Sequence, residues 1–439
     1  MSSPIFCAQH WHSLTYRQRD GFGCAFMTTH GVRPCARLEE LVASVCIHPN
    51  QGNCCESSTI QPVETCSYAS HCYSFDTAFQ SRMRCACRPD NQILSLGRAV
   101  AMTPAIFGLG GTTLSATERD FFKESKPFGF ILFGRNVEQR SQLRALTDDL
   151  RSLTGRDQLP ILIDQEGGRV ARMQAPEWPA YPSAAIFEAL FTHDPSRGLE
   201  ACALNFEALA LDLAEVGITV TCAPVLDVPV AGAHDVIGDR AFSQNPDHVA
   251  ALGEACLVGL RAGGVEGVIK HIPGHGRSVV DSHKDLPRVS ASDAELSADL
   301  LPFQALSGAL MAMTAHVIFD AWDADQCATL SPNVIDQVIR KKIGFNGLLM
   351  SDDLDMKALS GEIGELALAS QQAGCDVVLN CWANMTDMVS IVKKLSAPSI
   401  KSQDRMSRAC AVLVSAATSA TLSQRQALLI ERRDELMSF

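Results

Sequence analysis

The stretch from Gly267 to Pro287, GVIKHIPGHGRSVVDSHKDLP, opens as a short apolar run and ends as a loop rich in Gly, Ser, His and Asp. The first half has the signature of a buried parallel strand and the second that of a long surface loop. At the strand end, Lys270 and His271 are donors held in place. Farther out, Asp281 stands two residues before His283. A carboxylate that orients an imidazole raises its basicity, and the two make a proton-transfer pair near neutral pH. One Asp-x-His is also a common solvated turn, so its meaning rests on the groups found with it.

Two other stretches carry chemistry. Leu348 to Met350 is an apolar run followed by Ser351, Asp352 and Asp353. An aspartate directly after a buried strand is partly desolvated and rigidly held, as a carboxylate nucleophile or a metal ligand should be. Asp353 and Asp355 suit a helix cap equally well. Asp164-Gln-Glu166-Gly-Gly-Arg169-Val-Ala-Arg172 joins acceptors, two glycines and two guanidinium forks, the kind of set that holds a polyhydroxylated ligand. Glu166 and Arg169 could also simply pair with each other. Gly108-Leu-Gly-Gly111 lacks the full dinucleotide fingerprint.

These residues need a scaffold, and its period is visible from Met102 onward. Apolar runs at Ala105 to Phe107, Gly129 to Phe133, Ile161 to Ile163, Ile218 to Leu226, Val265 to Ile269, Leu310 to Met313, Leu348 to Met350 and Val377 to Leu379 alternate with helix-like stretches. The latter include Glu138 to Leu153, Leu199 to Glu215, Pro246 to Ala262, Asp293 to Leu306, Ser331 to Lys342 and Ile363 to Ala373. Strict alternation of this kind predicts an α/β fold, a single (β/α)8 TIM-type barrel. Reactive groups in such barrels sit at the carboxyl ends of strands. Asp164 and Glu166, Asp227, Lys270 and His271, His316, and Asp352 and Asp353 follow five different runs and should converge on one mouth.

Residues 1–98 show neither period and are expected to be a poorly ordered or non-native extension, leaving 99–439 as the catalytic barrel. Ten of the 17 cysteines fall in this extension, without the C-x-x-C spacing of a zinc module. Over the whole chain of 439 residues, 46% hydrophobic and 20% charged, composition is that of a soluble enzyme. The net charge of -12 and pI near 5.5 argue against nucleic acid or an anionic membrane as partner. No run reaches the ~18 apolar residues of a membrane span, and the start lacks a basic segment followed by an apolar block. A monomer in the cytoplasm, acting on a neutral or locally steered substrate without cofactor or metal, is the expectation.

Asp164-Gln-Glu-Gly-Gly-Arg-Val-x-Arg172, Ala223-Pro-Val-Leu-Asp227, Ile237-Gly-Asp-Arg240-Ala-Phe242, Lys270-His-Ile-Pro-Gly-His-Gly276 with Asp281-Ser-His283, Met313-Thr-Ala-His316 and Ser351-Asp-Asp-Leu354 occur in the order seen in family-three glycoside hydrolases. The chain resembles in particular their compact bacterial β-N-acetylglucosaminidases of the NagZ type, from about Met102 to its end. The resemblance implies Asp352 as nucleophile, His283 as general acid/base and Asp281 as its orienting partner. Asp164, Arg172, Arg240, Lys270 and His271 would then hold the terminal sugar. The reaction implied is retaining exo-hydrolysis through a covalent glycosyl-aspartyl intermediate, releasing N-acetylglucosamine from muropeptides during cell-wall recycling. An Asp-supported imidazole replaces the second carboxylate of the usual pair, keeping a proton donor while removing a negative charge from beside the nucleophile. Ile272, Asn380 and Trp382 depart from the family pattern, and Cys375 and Cys381 read as core thiols. Phosphorolysis by a β-N-acetylglucosaminide phosphorylase, a broader β-glycosidase, a metal-dependent barrel hydrolase using His271, His275, His283, His316 and Asp352, and a non-catalytic sugar-binding barrel remain as alternatives.

Overall fold

The computed structural model describes residues 102–413, apart from residue 283, and residues 420–438. The expected extension over 1–98 and the acid/base candidate His283 therefore lie outside the described residues. In chain order the strands are β1 (Thr103–Gly108), β2 (Pro127–Leu132), β3 (Ile161–Ile163), β4 (Val220–Thr221), β5 (Glu266–Ile272), β6 (Arg288–Val289), β7 (Met311–Thr314), β8 (Ile318–Phe319), β9 (Asp323–Cys327), β10 (Leu348–Asp353) and β11 (Val377–Asn380). Eight of them close a barrel in the order β1-β11-β10-β7-β5-β4-β3-β2, and every neighbouring pair is parallel. The predicted (β/α)8 architecture is the observed one.

The apolar runs are continuous because each barrel strand buries both faces. Leu348 and Met350 turn inward and pack with Ile106, Ile131, Val268 and Met313, whereas Leu349 between them turns outward to the helical layer with Val378, Val338 and Ile339. The interior is thus a filled core, and Met406, Ala409 and Leu413, on and just after the helix Ile400–Ala411, join it. Their cluster includes Phe128 near the start of β2, with Met102 and Leu310 packed against it, so this helix closes the amino-terminal end of the barrel. The opposite end, where the strands terminate, is left for the site.

Several boundaries differ from expectation for identifiable reasons. β4 is two residues long rather than spanning Ile218 to Leu226, since Pro224 has no N–H to give to a ladder. Pairing resumes beyond it, where Leu226 N–H donates to the Lys270 carbonyl at 2.7 Å. That contact lengthens β5, so Lys270 and His271 lie within the strand and not after it. Likewise Asp352 and Asp353 are the last residues of β10. The helices Pro246–Ala262 and Ile363–Ala373 begin and end as expected, the first with Asn245 accepting from the Asp247 N–H at 2.9 Å. Val334–Lys342 is a π-helix, its Ile343 N–H reaching back five residues to Val338. The reading missed Ala116–Ser125, which a Ser115 capping box announces, and a small sheet of β6, β8 and β9. Among the described residues no helix is long and apolar enough to cross a membrane.

Because Leu349 is fully buried between sheet and helices, Leu349→Ala should cost about 2–5 kcal/mol of stability in chemical denaturation. Leu428, which is 66% exposed, should tolerate the same change within about 0.5 kcal/mol.

Candidate active site

A cavity of about 680 Å³ opens at the carboxyl ends of the barrel strands. Asp164, Arg172, Arg240, Lys270, His271 and Asp352 all line it, so six of the eight residues singled out from the sequence meet in one space. Asp281 is half-buried on the loop beyond β5, with Lys284 Nζ 3.8 Å from its carboxylate. Its neighbour Ser282 lines the cavity. His283 lies outside the described residues.

Lys270 organises the charged wall. Its ammonium group is 2.6 Å from Glu166 Oε1 and 3.2 Å from Asp164 Oδ1, with almost no solvent contact. Arg240 forks onto Glu166 with two bonds of 2.8 Å, and Arg172 reaches Asp164 at 3.1 Å. Burial by itself would raise both carboxyl pKa values. The Lys270 charge, together with Arg172 at Asp164 and Arg240 at Glu166, outweighs it and holds both below the ordinary range. Burial opposes the Lys270 charge too, yet Glu166 and Asp164 raise its pKa further above its usual value. Three cations thus face two carboxylates in a desolvated corner, leaving donors over for a neutral ligand rich in oxygen. The suggested Glu166–Arg169 pair does not form; Arg169 bonds Asp239 at 2.9 Å, beyond the cavity.

A second buried carboxylate serves the histidines. Asp227 Oδ2 is 2.7 Å from His271 Nδ1, while Oδ1 accepts the backbone N–H groups of His271 and His275 at 3.2 and 2.6 Å. That bond leaves Nε2 as the remaining polar atom of His271 beside the cavity. Desolvation, with His271 nearby, lowers His275 to about 4, so its ring is neutral. Its Nε2 lies 3.2 Å from Ser282 Oγ.

Asp352 stands across the mouth from this network. Burial would raise its pKa, but His316, His271, the Asp353 N–H at 2.8 Å and Lys270 more than compensate, and the carboxylate stays ionised below the usual aspartate range. His316 is fully buried between Thr329 Oγ1 at 2.7 Å and the Asp353 carbonyl at 3.0 Å. Asp353 is no helix cap: it accepts from the Asp355 and Cys381 N–H groups at 3.3 and 3.1 Å. Burial, reinforced by Asp355, pushes it up to about 7. The following helix, Ile363–Ala373, is capped by Glu362 instead. Adjacent aspartates are therefore pushed in opposite directions, the buried histidines and Lys270 favouring the charge of Asp352 and burial with Asp355 opposing that of Asp353.

Cys375 and Cys381 are buried thiols that desolvation pushes up, the former to about 12, as core cysteines should be. Among the described residues no group of three or more His, Cys, Asp or Glu side chains could hold a metal ion. Glu166 stands out in the sequence only as a strand-end acceptor near Arg169, and Asp227 only as a strand-end acid. Their partners lie 74 and 44 residues away, at separations no local pattern encodes.

Residues 98–412 match the glycosyl hydrolase family 3 N-terminal domain. The chain is 41% identical over 286 residues to a β-hexosaminidase of Alkalilimnicola ehrlichii, covering 63% of this chain and 80% of the relative. It is 39% identical over 281 residues to a β-hexosaminidase of Methylococcus capsulatus, covering 63% and 82%. Among solved structures, native NagZ from Neisseria gonorrhoeae is similar with a TM-score of 0.69 and 32% identity, over 77% of this chain and 99% of that one. With a family match across well over half its length and the site at the mouth of a closed barrel, the chain belongs to glycosyl hydrolase family 3, as a glycoside hydrolase of the β-hexosaminidase type.

Proposed function

We propose that the chain is a retaining exo-β-N-acetylglucosaminidase in which Asp352 is the nucleophile, His283 the general acid/base and Asp281 its orienting partner. The observation that carries this reading is the half-buried, ionised Asp352 near the end of β10, facing a cavity also lined by Asp164, Arg172, Arg240, Lys270 and His271. Those five residues hold the terminal sugar through its hydroxyl and amide groups. A structure of the gonococcal NagZ contains N-trifluoroacetyl-D-glucosamine, which supports an N-acylated glucosamine in this position.

In the first step an Asp352 carboxylate oxygen bonds to the anomeric carbon as the glycosidic C–O bond breaks, and the leaving oxygen takes the His283 proton. In the second, water attacks the anomeric carbon from the vacated side and gives a proton back to His283, and the Asp352 ester bond breaks. Two inversions give net retention. The Asp227 bond to His271 Nδ1 fixes the ring with its Nε2 toward the sugar, and the cations around Asp164 and Glu166 leave Asp352 as the ionised carboxylate free to attack. The natural substrate class is a muropeptide or anhydro-disaccharide ending in N-acetylglucosamine, processed as a monomer in the cytoplasm during peptidoglycan recycling.

Asp352→Ala should lower kcat on an aryl β-N-acetylglucosaminide by more than about a thousandfold; wild-type turnover in this variant would remove the assignment. His283→Ala should lose about a hundredfold or more on substrates with poor leaving groups, and far less on activated aryl glycosides, which need no proton. Since Asp352 must be ionised and its pKa is depressed, the acidic limb that it sets in the pH profile of kcat/KM should fall below about 4, the value of an ordinary aspartate. A limb from Asp352 above that value would contradict the environment described.

A further inference from the structure

The cavity has two unlike halves. Asp164 follows β3, Arg240 follows β4, and Lys270 and His271 lie on β5, so the charged wall occupies one arc of the barrel. β11 lies opposite β4 in the strand order, beside β10, which carries Asp352. From the end of β11 comes Trp382, which lines the cavity yet is 69% exposed. Among the described residues with large, exposed apolar side chains it is the one aromatic. Met356 and Leu379 line the same side.

An exposed tryptophan on a loose loop would mean little, but this one is anchored on both sides. The Cys381 N–H donates to Asp353 Oδ1 at 3.1 Å, and the Cys381 carbonyl accepts from the Arg135 guanidinium. Asn380 Nδ2 donates to the Asp355 carboxylate at 2.5 Å. Ala383, immediately after, has φ 58, a left-handed conformation that a non-glycine residue adopts at a cost. The following helix, Met385–Lys394, takes its cap from Asn384, so capping does not account for Ala383. A strained, hydrogen-bonded turn keeps an indole in solvent at the rim of a carbohydrate site.

We propose that Trp382 is the platform for the leaving-group sugar, stacking its indole face on the C–H face of a pyranose joined to the terminal N-acetylglucosamine. This rests on the N-acetylglucosaminidase reading. With the terminal sugar held by the β3, β4 and β5 wall and attacked by Asp352 from within the cavity, the departing group leaves on the face away from Asp352, toward the exposed rim that Trp382 lines. An aromatic face offers apolar C–H groups a dry surface with little loss of side-chain freedom, and it selects a ring over a small or extended alkyl group. Trp382 thereby sets substrate preference without touching the reacting atoms.

The test compares Trp382→Ala and Trp382→Phe with wild type on two substrates, N,N'-diacetylchitobiose and 2,2,2-trifluoroethyl β-N-acetylglucosaminide. The alanine variant should lose about three- to tenfold in kcat/KM on the disaccharide, mostly through KM, and stay within about twofold of wild type on the alkyl glycoside. The phenylalanine variant should recover most of the loss. Because the side chain is exposed, the thermal midpoint should not move. Equal losses on both substrates, or none on the disaccharide, would overturn the proposal. Wild-type inactivity on both would instead overturn the N-acetylglucosaminidase reading beneath it.

Discussion

A buried ammonium group is the constraint to which the rest of the site answers. Lys270 Nζ sits between Glu166 and Asp164, and it comes from β5 while both acids follow β3. A lone lysine in that position would lose its charge or its place, because desolvation of an unpaired ion costs several kcal/mol. Two carboxylates keep it charged, and Arg240 and Arg172 in turn keep the carboxylates charged. The set is stable only as a whole, so removing any member leaves an uncompensated ion in a dry site. Its function follows from the same arithmetic, with three cations and two anions leaving donors directed at a ligand.

The histidines obey a similar logic with different geometry. Asp227, wholly buried, spends one oxygen on the His271 ring and the other on two backbone N–H groups. It thereby fixes both the ring and the path of the chain as β5 runs into its loop. His275 is on that path, and its neutral ring meets Ser282, the residue between Asp281 and His283. The loop carrying the proposed proton-transfer pair thus has a contact to the barrel that leads back to the same carboxylate.

Carboxylates side by side can have opposite roles when their surroundings differ. Asp352 and Asp353 are neighbours on β10, yet histidines and Lys270 surround the first, whereas burial and Asp355 dominate at the second. One is ionised at neutral pH and the other is poised to hold a proton. The difference arises from their immediate neighbours, since both aspartates line the same cavity. It also limits negative charge around the attacking oxygen.

Much of this was legible in the residues themselves. Continuous apolar runs marked the eight barrel strands, because burial on both faces of a parallel strand leaves no polar alternation, and strand-end acids and bases marked the mouth. The small β6, β8 and β9 sheet was invisible, as the two-residue β6 and β8 carry no periodic signal and β9, DADQC, is mostly polar and exposed. The ends of β5 and β10 were both set three residues short, since Lys270 and Asp352 look like loop residues until their partners are known. Composition and order along the chain therefore determined the fold class and the candidate groups. Only the closed barrel decided that Glu166 answers Lys270 and Arg240 rather than Arg169, and that Trp382 lines the same cavity as the charged wall. Such pairings are made across the mouth by distant strands, and proximity of that kind comes from closure, not from spacing.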